Sequence, residues 1–177
     1  MPKNVTGEKL VRPARHFKGN DTEKTEPTVT RWTIYLSGEI HSDWCERIVR
    51  GAVDADLPVD FTTPVTDHAA SDDCGVAILG AEDKGFWKDH KGAGVNAIRT
   101  RTLLRNADLV VVRFGDKYRQ WNAAFDAGLA SALGKPLIIL HNADLTHALK
   151  EVDAAASAVA ETPEQVVEVL RYVTSGA

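Results

Sequence analysis

The residues best suited to chemistry lie in the segment FGDKYRQWNAAFDAG, residues 114–128. Asp126 follows Asn122 by about one helical turn, so both side chains can point to the same end of a helix. A carboxylate in this position can serve as a nucleophile at a sugar C1′ or as a base, given a second acid within several Å. Interaction with the dipole of its own helix is the alternative role for Asp126. The same periodicity places Phe125 and Leu129 toward the core.

The segment SGEIHSDW, residues 37–44, is predicted to form a second site loop between the first strand and the first helix. Gly38 lets the backbone approach a ligand there, and the N–H groups at the helix start can bind an anion or a sugar hydroxyl. A tight turn alone is the alternative role for Gly38. We expect Gly38, Glu39 and His41 to contact the ligand. The three spaced glycines of a dinucleotide-binding loop are missing, so NAD or FAD bound in the usual Rossmann mode is not expected.

The segment GAEDKGFWKDHKGAGV, residues 80–95, is predicted to lead into a helix that begins at Asn96. Its glycines can cradle a phosphate, but the lysine and hydroxyl of a triphosphate-binding loop are absent, so triphosphate hydrolysis is not expected. Trp87, Asp89 and Asn96 are the candidate ligand contacts of this segment. Three arginines follow, and at least two of them are expected on a solvated helix face: Arg99, Arg101 and Arg105.

Three of the four tryptophans lie in or beside loops at the predicted ligand end of the domain: Trp44, Trp87 and Trp121. An indole ring can stack on a nucleobase while its N–H donates a hydrogen bond. Filling the core is the alternative role for each of them.

No metal site, disulfide bond or cofactor is expected. Cys45 and Cys74 are far apart in the sequence, and the six histidines show no HExxH or similar spacing. These patterns differ from those of zinc sites and disulfide frameworks.

Five short apolar runs are predicted to be the strands that position these loops: 32–37, 59–62, 107–114, 136–141 and 156–160. The runs alternate with helical segments, and parallel strands need right-handed crossovers. The chain is therefore predicted to be an α/β protein with a doubly wound, five-stranded parallel sheet covered by helices on both faces. Ligands of such sheets bind beyond the carboxyl ends of the strands, here in the loops after Ser37, Thr62, Phe114 and His141.

Helices are predicted at residues 42–56, 122–133 and 145–152, with a last helix that begins at Thr162 and Pro163. Ser42 is expected to cap the first of them. Residues 63–95 form a connection of over thirty residues without a predicted element. Because loops longer than about 12–15 residues are usually functional or disordered, this connection is predicted to be an ordered site loop.

The chain has 177 residues, of which 44% are hydrophobic and 26% are charged. This composition predicts one globular domain that is long enough to bury its own core. Residues 1–30 are polar and are predicted to be a flexible N-terminal extension, which leaves residues 31–177 as the domain. No apolar run reaches the roughly 18–20 residues of a membrane helix, and no secretory signal is recognisable, so we expect a cytoplasmic protein without a membrane partner.

The formal net charge of −4 is unevenly distributed. Residues 1–20 carry a net charge of +4, which leaves −8 for residues 21–177. Binding nucleic acid requires a basic face that neutralises phosphates. An acidic domain therefore predicts a small-molecule ligand rather than a nucleic acid.

The runs TIYLSG, ADLVVV and FDAGLASALGKPLIIL resemble the nucleoside 2-deoxyribosyltransferase-like superfamily. The segments FGDKYRQWNAAFDAG and DHKGAGVNAIRTRTLL resemble its YtoQ-type branch. The resemblance extends from residue 31 to about residue 173. It implies a flavodoxin-like sheet in the order 2-1-3-4-5 and a homo-oligomer whose sites are completed across subunit contacts.

The resemblance also implies roles for individual residues. Asp126 would be the carboxylate that attacks C1′ and expels the base, with Tyr35 orienting it. In the mechanism we expect, Asp126 is this nucleophile or the carboxylate that stabilises the oxocarbenium-like transition state. Asn122 would help to orient it, and Asp116 or Asp89 would protonate the departing base. The family's nucleophile is a glutamate rather than an aspartate, and two of its usual acids fall on uncharged residues of this chain: Gln120 and Asn96.

The function expected from these features is an enzyme acting on the N-glycosidic bond of a nucleoside, nucleotide or related ribosyl compound, by transfer or by hydrolysis. The alternative is a non-catalytic module of the same fold that binds a nucleotide or another small ligand. A flavodoxin-type electron carrier is disfavoured, because the first loop lacks the hydroxyl-rich phosphate cradle that flavin mononucleotide requires.

Overall fold

In the computed structural model, which describes residues 30–65, 67–117 and 120–175, five parallel strands form one sheet. They are β1 (Trp32–Gly38), β2 (Val59–Thr62), β3 (Leu109–Arg113), β4 (Leu137–Leu140) and β5 (Ala158–Ala160). Their spatial order is β2-β1-β3-β4-β5, which confirms the predicted fold class. The apolar, largely β-branched runs of β1, β3 and β4 suit strands that are buried on both faces.

Helices cover both faces of the sheet. They are α1 (Trp44–Asp54), α2 (His68–Leu79), α3 (Gly85–Asn106), α4 (Trp121–Ala132), α5 (Thr146–Ala154) and α6 (Pro163–Thr174). Helices α1 and α6 pack on one face, and the C-terminal part of α3 packs with α4 and α5 on the other. None of the helices in the described residues is long and apolar enough to span a membrane. The predicted N-terminal extension lies almost wholly outside the described residues.

The sequence predicted the N-terminal cap of the last helix, α6, correctly but that of the first helix, α1, incorrectly. The Thr162 side chain accepts a hydrogen bond from the Gln165 backbone N–H, and the Gln165 side chain accepts one from the Thr162 backbone N–H. The predicted start of α6 is therefore confirmed. The expected Ser42 cap is wrong, because the residue at the cap position is Asp43, whose side chain makes no capping hydrogen bond. The Ser42 hydroxyl donates to the Glu39 carboxylate instead.

The prediction of a loop over residues 63–95 is wrong. This segment contains all of α2 and the first half of α3, which begins at Gly85 rather than at Asn96. The sequence concealed both helices because they bury little apolar surface, and glycines interrupt the helical pattern. The two helices pack against each other as a pair, hereafter the α2–α3 hairpin (residues 68–106).

The α2–α3 hairpin is held together by a close helix crossing and by polar contacts. Gly75 faces Gly92 at the crossing, and a β-carbon at residue 75 would overlap the backbone of residues 91–92. The Asn96 amide donates to the Ser71 carbonyl at 3.0 Å, and Lys88 pairs with Asp73 at 2.8 Å. Gly92 therefore serves helix packing in the structure, which is a different use from the phosphate cradle considered for it.

The length of α3 places part of the hairpin beyond the sheet. Its 22 residues span about 33 Å, whereas the five residues of β3 span about 17 Å. Because α3 ends two residues before β3 begins, it runs antiparallel to the strand. The N-terminal half of α3 consequently projects past the carboxyl ends of the strands, where ligands of this sheet class bind.

The glycine crossing predicts opposite effects of two alanine substitutions in the hairpin. Gly75→Ala should lower the free energy of unfolding by about 1–3 kcal/mol, because the new methyl group meets backbone that must move. Gly94→Ala should raise it by roughly 0.5–1 kcal/mol, because residue 94 is helical with open space around it. Urea unfolding measures the change in the free energy of unfolding of each variant. Changes of the same sign in both variants would contradict the close crossing.

Candidate active site

A cavity of about 900 Å³ opens at the carboxyl end of the sheet. Its floor comes from the end of β1 and the loop that follows, residues 37–41, and one wall comes from the α2–α3 hairpin. The opposite wall is the start of α4, residues 120–126. The location agrees with the switch point between β1 and β3, where the two loops leave the sheet in opposite directions.

Most of the residues predicted to form the site border this cavity: Gly38, Glu39, His41, Asp89, Asn96, Trp121, Asn122 and Asp126. Four others do not: Tyr35, Trp44, Trp87 and Asp116. The chain therefore brings together the predicted carboxylate, both predicted loops and the start of α4. The roles of these residues stay predictions.

Asp126 is partly buried and is held from below by β1. Its Oδ2 accepts a hydrogen bond from the Ser37 hydroxyl at 2.5 Å, and Ser37 is only 2% exposed. Burial raises the pKa of Asp126 above its ordinary value, and the Ser37 hydrogen bond opposes that rise. Among the described residues, Ser37 is thus the one hydrogen-bond donor to a partly desolvated carboxylate.

Tyr35 was expected to orient Asp126, but Ser37 forms the hydrogen bond. Residues 35 and 37 point to the same face of β1, and Ser37 lies nearer the carboxyl end, where Asp126 is located. The Tyr35 hydroxyl is buried and makes no hydrogen bond within the described residues. Burial, followed by the Asp126 charge, raises the pKa of Tyr35. Sequence reasoning missed Ser37, although its spacing of two from Tyr35 was a usable signal.

The loop after β1 is ordered around the Glu39 carboxylate. This carboxylate accepts hydrogen bonds from the His41 backbone N–H and from the Ser42 hydroxyl. Gly38 has a φ of +116°, and a β-carbon there would overlap the Arg113 carbonyl of the neighbouring strand. Gly38 is therefore required by the close approach of two backbones, whatever its contribution to ligand binding.

Two of the predicted stacking tryptophans lie away from the main cavity. Trp44 is 3% exposed and belongs to the core, where its indole N–H donates to the Glu39 carbonyl at 2.6 Å. Trp87 lies in the first turn of α3, with its ring 5.0 Å from that of Phe86. Core filling is thus the role of Trp44, and Trp87 belongs to an aromatic cluster on the hairpin.

Asp116 also lies outside the cavity lining. Its Oδ1 accepts a hydrogen bond from the Asn142 amide at 2.7 Å, beyond the end of β4. The Gln120 side chain bonds at 2.8 Å to the Gly115 N–H and at 2.7 Å to the Lys117 carbonyl. This glutamine therefore closes the loop before α4.

Two exposed aromatic rings form the α4 wall. Trp121 is 70% exposed and Phe125 is 62% exposed, and both border the cavity. The prediction that Phe125 faces the core is wrong, because the buried face of α4 consists of alanines. A helix whose core face is alanine packs close to the sheet, which leaves its large side chains for the outer face.

Three consecutive residues of α3 also border the cavity: Arg99, Thr100 and Arg101. A guanidinium N–H of Arg99 donates to the Thr63 carbonyl at 3.2 Å. All three arginines are exposed, as predicted for a solvated helix face. Arg105, unlike the other two, does not border the cavity. No group of three or more His, Cys, Asp or Glu side chains in the described residues is arranged to hold a metal ion.

Comparisons of the sequence with known proteins identify its family. The sequence profile of the nucleoside 2-deoxyribosyltransferase YtoQ family matches residues 35–174. The uncharacterized protein YtoQ of Bacillus subtilis (strain 168) is 42% identical over 140 residues, which cover 79% of this chain and 95% of that protein.

Two solved structures are similar to this chain at low sequence identity. A conserved protein from Enterococcus faecalis V583 is 17% identical, with a TM-score of 0.54 over 81% of this chain and 99% of that one. A 2-deoxyribosyltransferase from the psychrotolerant Bacillus psychrosaccharolyticus is 17% identical, with a TM-score of 0.47 over 78% and 95% of the two chains. Because the family profile spans most of the sequence, the chain belongs to the nucleoside 2-deoxyribosyltransferase YtoQ family.

Proposed function

We propose that this protein acts on the N-glycosidic bond of a nucleoside or nucleotide, with Asp126 as the nucleophile. The observation that carries the proposal is the partly buried Asp126 carboxylate, which borders the cavity and is held at 2.5 Å by Ser37. A carboxylate that has lost water is more reactive toward an electron-poor carbon than one in bulk solvent. Membership of the YtoQ family supports the same class of chemistry.

The chemistry begins with the ionised carboxylate of Asp126. One of its oxygens attacks C1′ as the bond from C1′ to the base nitrogen breaks, and the electron pair of that bond leaves with the base. An acid protonates the departing base. In the second step, water or another base attacks C1′ and releases Asp126, which gives hydrolysis or transfer respectively.

The candidate acid is Asp89. Of the two carboxyl groups considered for this role, only Asp89 borders the cavity, whereas Asp116 bonds to Asn142. The rings of Trp121 and Phe125 are one helical turn apart and are exposed toward the same space. They provide a stacking surface for the base.

A second candidate function is a binding module without catalysis. The observation that favours it is Gln120, which ties up both ends of its amide in the loop before α4 and supplies no acid. In that function, Asp126 would contact a ribose hydroxyl in the ground state rather than a transition state.

Asp126→Asn separates the two functions. Under the proposed mechanism it should lower turnover by at least about 100-fold while ligand affinity changes by only a few fold, because the lost interaction forms chiefly in the transition state. Release of base and ligand affinity are measured for both proteins, with the ligand taken from a thermal-shift screen of nucleosides and nucleotides. Asp144→Asn, an exposed acid that does not border the cavity, is the matched control.

Unchanged base release by Asp126→Asn would eliminate Asp126 as the nucleophile. A wild-type protein that binds tightly without releasing base would favour the binding module. In that case Asp126→Asn should weaken affinity by about 1–3 kcal/mol.

The raised pKa of Asp126 predicts a pH-dependent stability difference. Between the ordinary aspartate pKa and the raised folded value, the folded state binds more protons than the unfolded state, so ionisation of Asp126 lowers stability as pH rises through that interval. Asp126→Asn should therefore melt at a higher temperature than the wild type at pH 7. The gap should shrink as pH falls toward about 4.

The surface residue Asp60 is expected to show the opposite dependence of stability on pH. The Arg31 guanidinium lowers the pKa of Asp60, so Asp60→Asn should lose a little stability at pH 7 and recover it in acid. Thermal melts of both variants from pH 3.5 to 7 measure these differences. A stability gap for Asp126→Asn that grows in acid would refute the desolvation argument.

Ser37 is a positioning residue whose removal should move the pH profile. Ser37→Ala deletes the bond that opposes the rise in the Asp126 pKa, so the acid limb of kcat/KM should shift to higher pH. Ser71→Ala, which also alters a hydroxyl bordering the cavity, should leave the limb in place. A limb that does not move in Ser37→Ala would show that this hydrogen bond has no influence on the titrating group.

A further inference from the structure

Two arginines border the cavity without an acidic partner in the described part of the chain. Arg99 and Arg101 form no ion pair with an aspartate or glutamate there, whereas the surface residues Arg31, Arg47 and Arg171 all do. Surface arginines that lack partners are ordinary. Arg99 and Arg101 differ because they border the same cavity as the candidate nucleophile.

Arg99 is held in place by the end of β2 yet keeps most of its hydrogen-bonding capacity. One N–H donates to the Thr63 carbonyl at 3.2 Å, which leaves four of the roughly five guanidinium N–H donors available. An arginine that is already anchored loses less side-chain entropy when it binds an anion. The planar fork of a guanidinium also matches the oxygens of a phosphate.

The acidic residues that border the cavity do not neutralise this corner. The Glu39 carboxylate already accepts two hydrogen bonds within its own loop. Asp89 precedes Arg99 by ten residues on α3, which is about 15 Å along the helix and exceeds the screening length in physiological salt. The backbone of Asp72 contacts Gly92, so Asp72 also lies toward the outer part of the hairpin.

The cavity is therefore divided chemically. Aromatic rings border it on α4, the Asp126 carboxylate lies at its floor beside Ser37, and cations border it on α3. We propose that Arg99 and Arg101 bind a phosphate group, so that the ligand is a nucleoside monophosphate rather than an unphosphorylated nucleoside. The placement of the sugar over Asp126 rests on the function proposed above, but the phosphate site does not require turnover.

The test compares each common 2′-deoxynucleoside and ribonucleoside with its 5′- and 3′-monophosphates. Calorimetry on the full-length protein measures affinity, and chromatography of the same mixtures measures released base. At least one monophosphate should bind roughly 10- to 100-fold more tightly than its nucleoside, since hydrogen bonds to a charged group are among the strong ones. The preference should weaken as salt is raised.

Variants assign the preference to the two arginines. Arg99→Gln and Arg101→Gln should each reduce monophosphate affinity about tenfold and change nucleoside affinity less than twofold. Arg99→Lys keeps the charge and should lose less than Arg99→Gln. Arg105→Gln removes an arginine of the same helix that does not border the cavity, and it should change neither affinity. Melting temperatures confirm that each variant is folded.

The outcomes separate this inference from the proposed activity. Equal affinity for monophosphates and nucleosides, or an equal loss of both in the arginine variants, overturns the phosphate site. Tight, arginine-dependent binding of a monophosphate with no release of base supports the phosphate site and overturns the proposed glycosidic chemistry. Release of base from nucleosides, with no increase in affinity when a phosphate is present, supports the proposed glycosidic chemistry and overturns the phosphate site.

Discussion

A carboxylate removed from bulk water keeps its charge only where hydrogen-bond donors replace its hydration, and at Asp126 that donor is the Ser37 hydroxyl. The bond joins β1 to α4 at the point where the sheet reverses its winding. Its short reach requires α4 to lie close against the sheet, which the alanines on its buried face allow. The outward position of Trp121 and Phe125 is a consequence of the same packing.

The second requirement is a wall that extends beyond the sheet. A flavodoxin-like sheet alone offers a shallow rim, because its strands end at the level of the ligand. Here α3 continues past that level and is supported by α2, with Gly75 and Gly92 allowing the two backbones to meet. The cavity thus combines a floor defined by the sheet with a wall defined by two helices that stabilise each other.

The strands and their order were predictable because each is a continuous apolar run, and parallel crossovers leave few topologies. The Thr162–Gln165 cap was predictable for a similar reason, since it is local in sequence. The α2–α3 hairpin was not, because its stability comes from helix packing at glycines, which the apolar periodicity does not report. Ser37 was missed because its partner lies 89 residues away, and Phe125 because alanine rather than the larger apolar residues lines the buried side of α4.

The division between floor and wall has a consequence for the evolution and engineering of this protein. The Asp126 carboxylate and Ser37 belong to α4 and the sheet, whereas much of the remaining cavity lining belongs to residues 64–101. In terms of the proposed function, sequence changes in the projecting part of the hairpin that keep Asp89, the candidate acid, would alter which molecules are accepted without disturbing Asp126. Recombining this segment between homologues that retain Asp89 offers a route to libraries in which the cavity lining varies while both proposed catalytic carboxylates are kept.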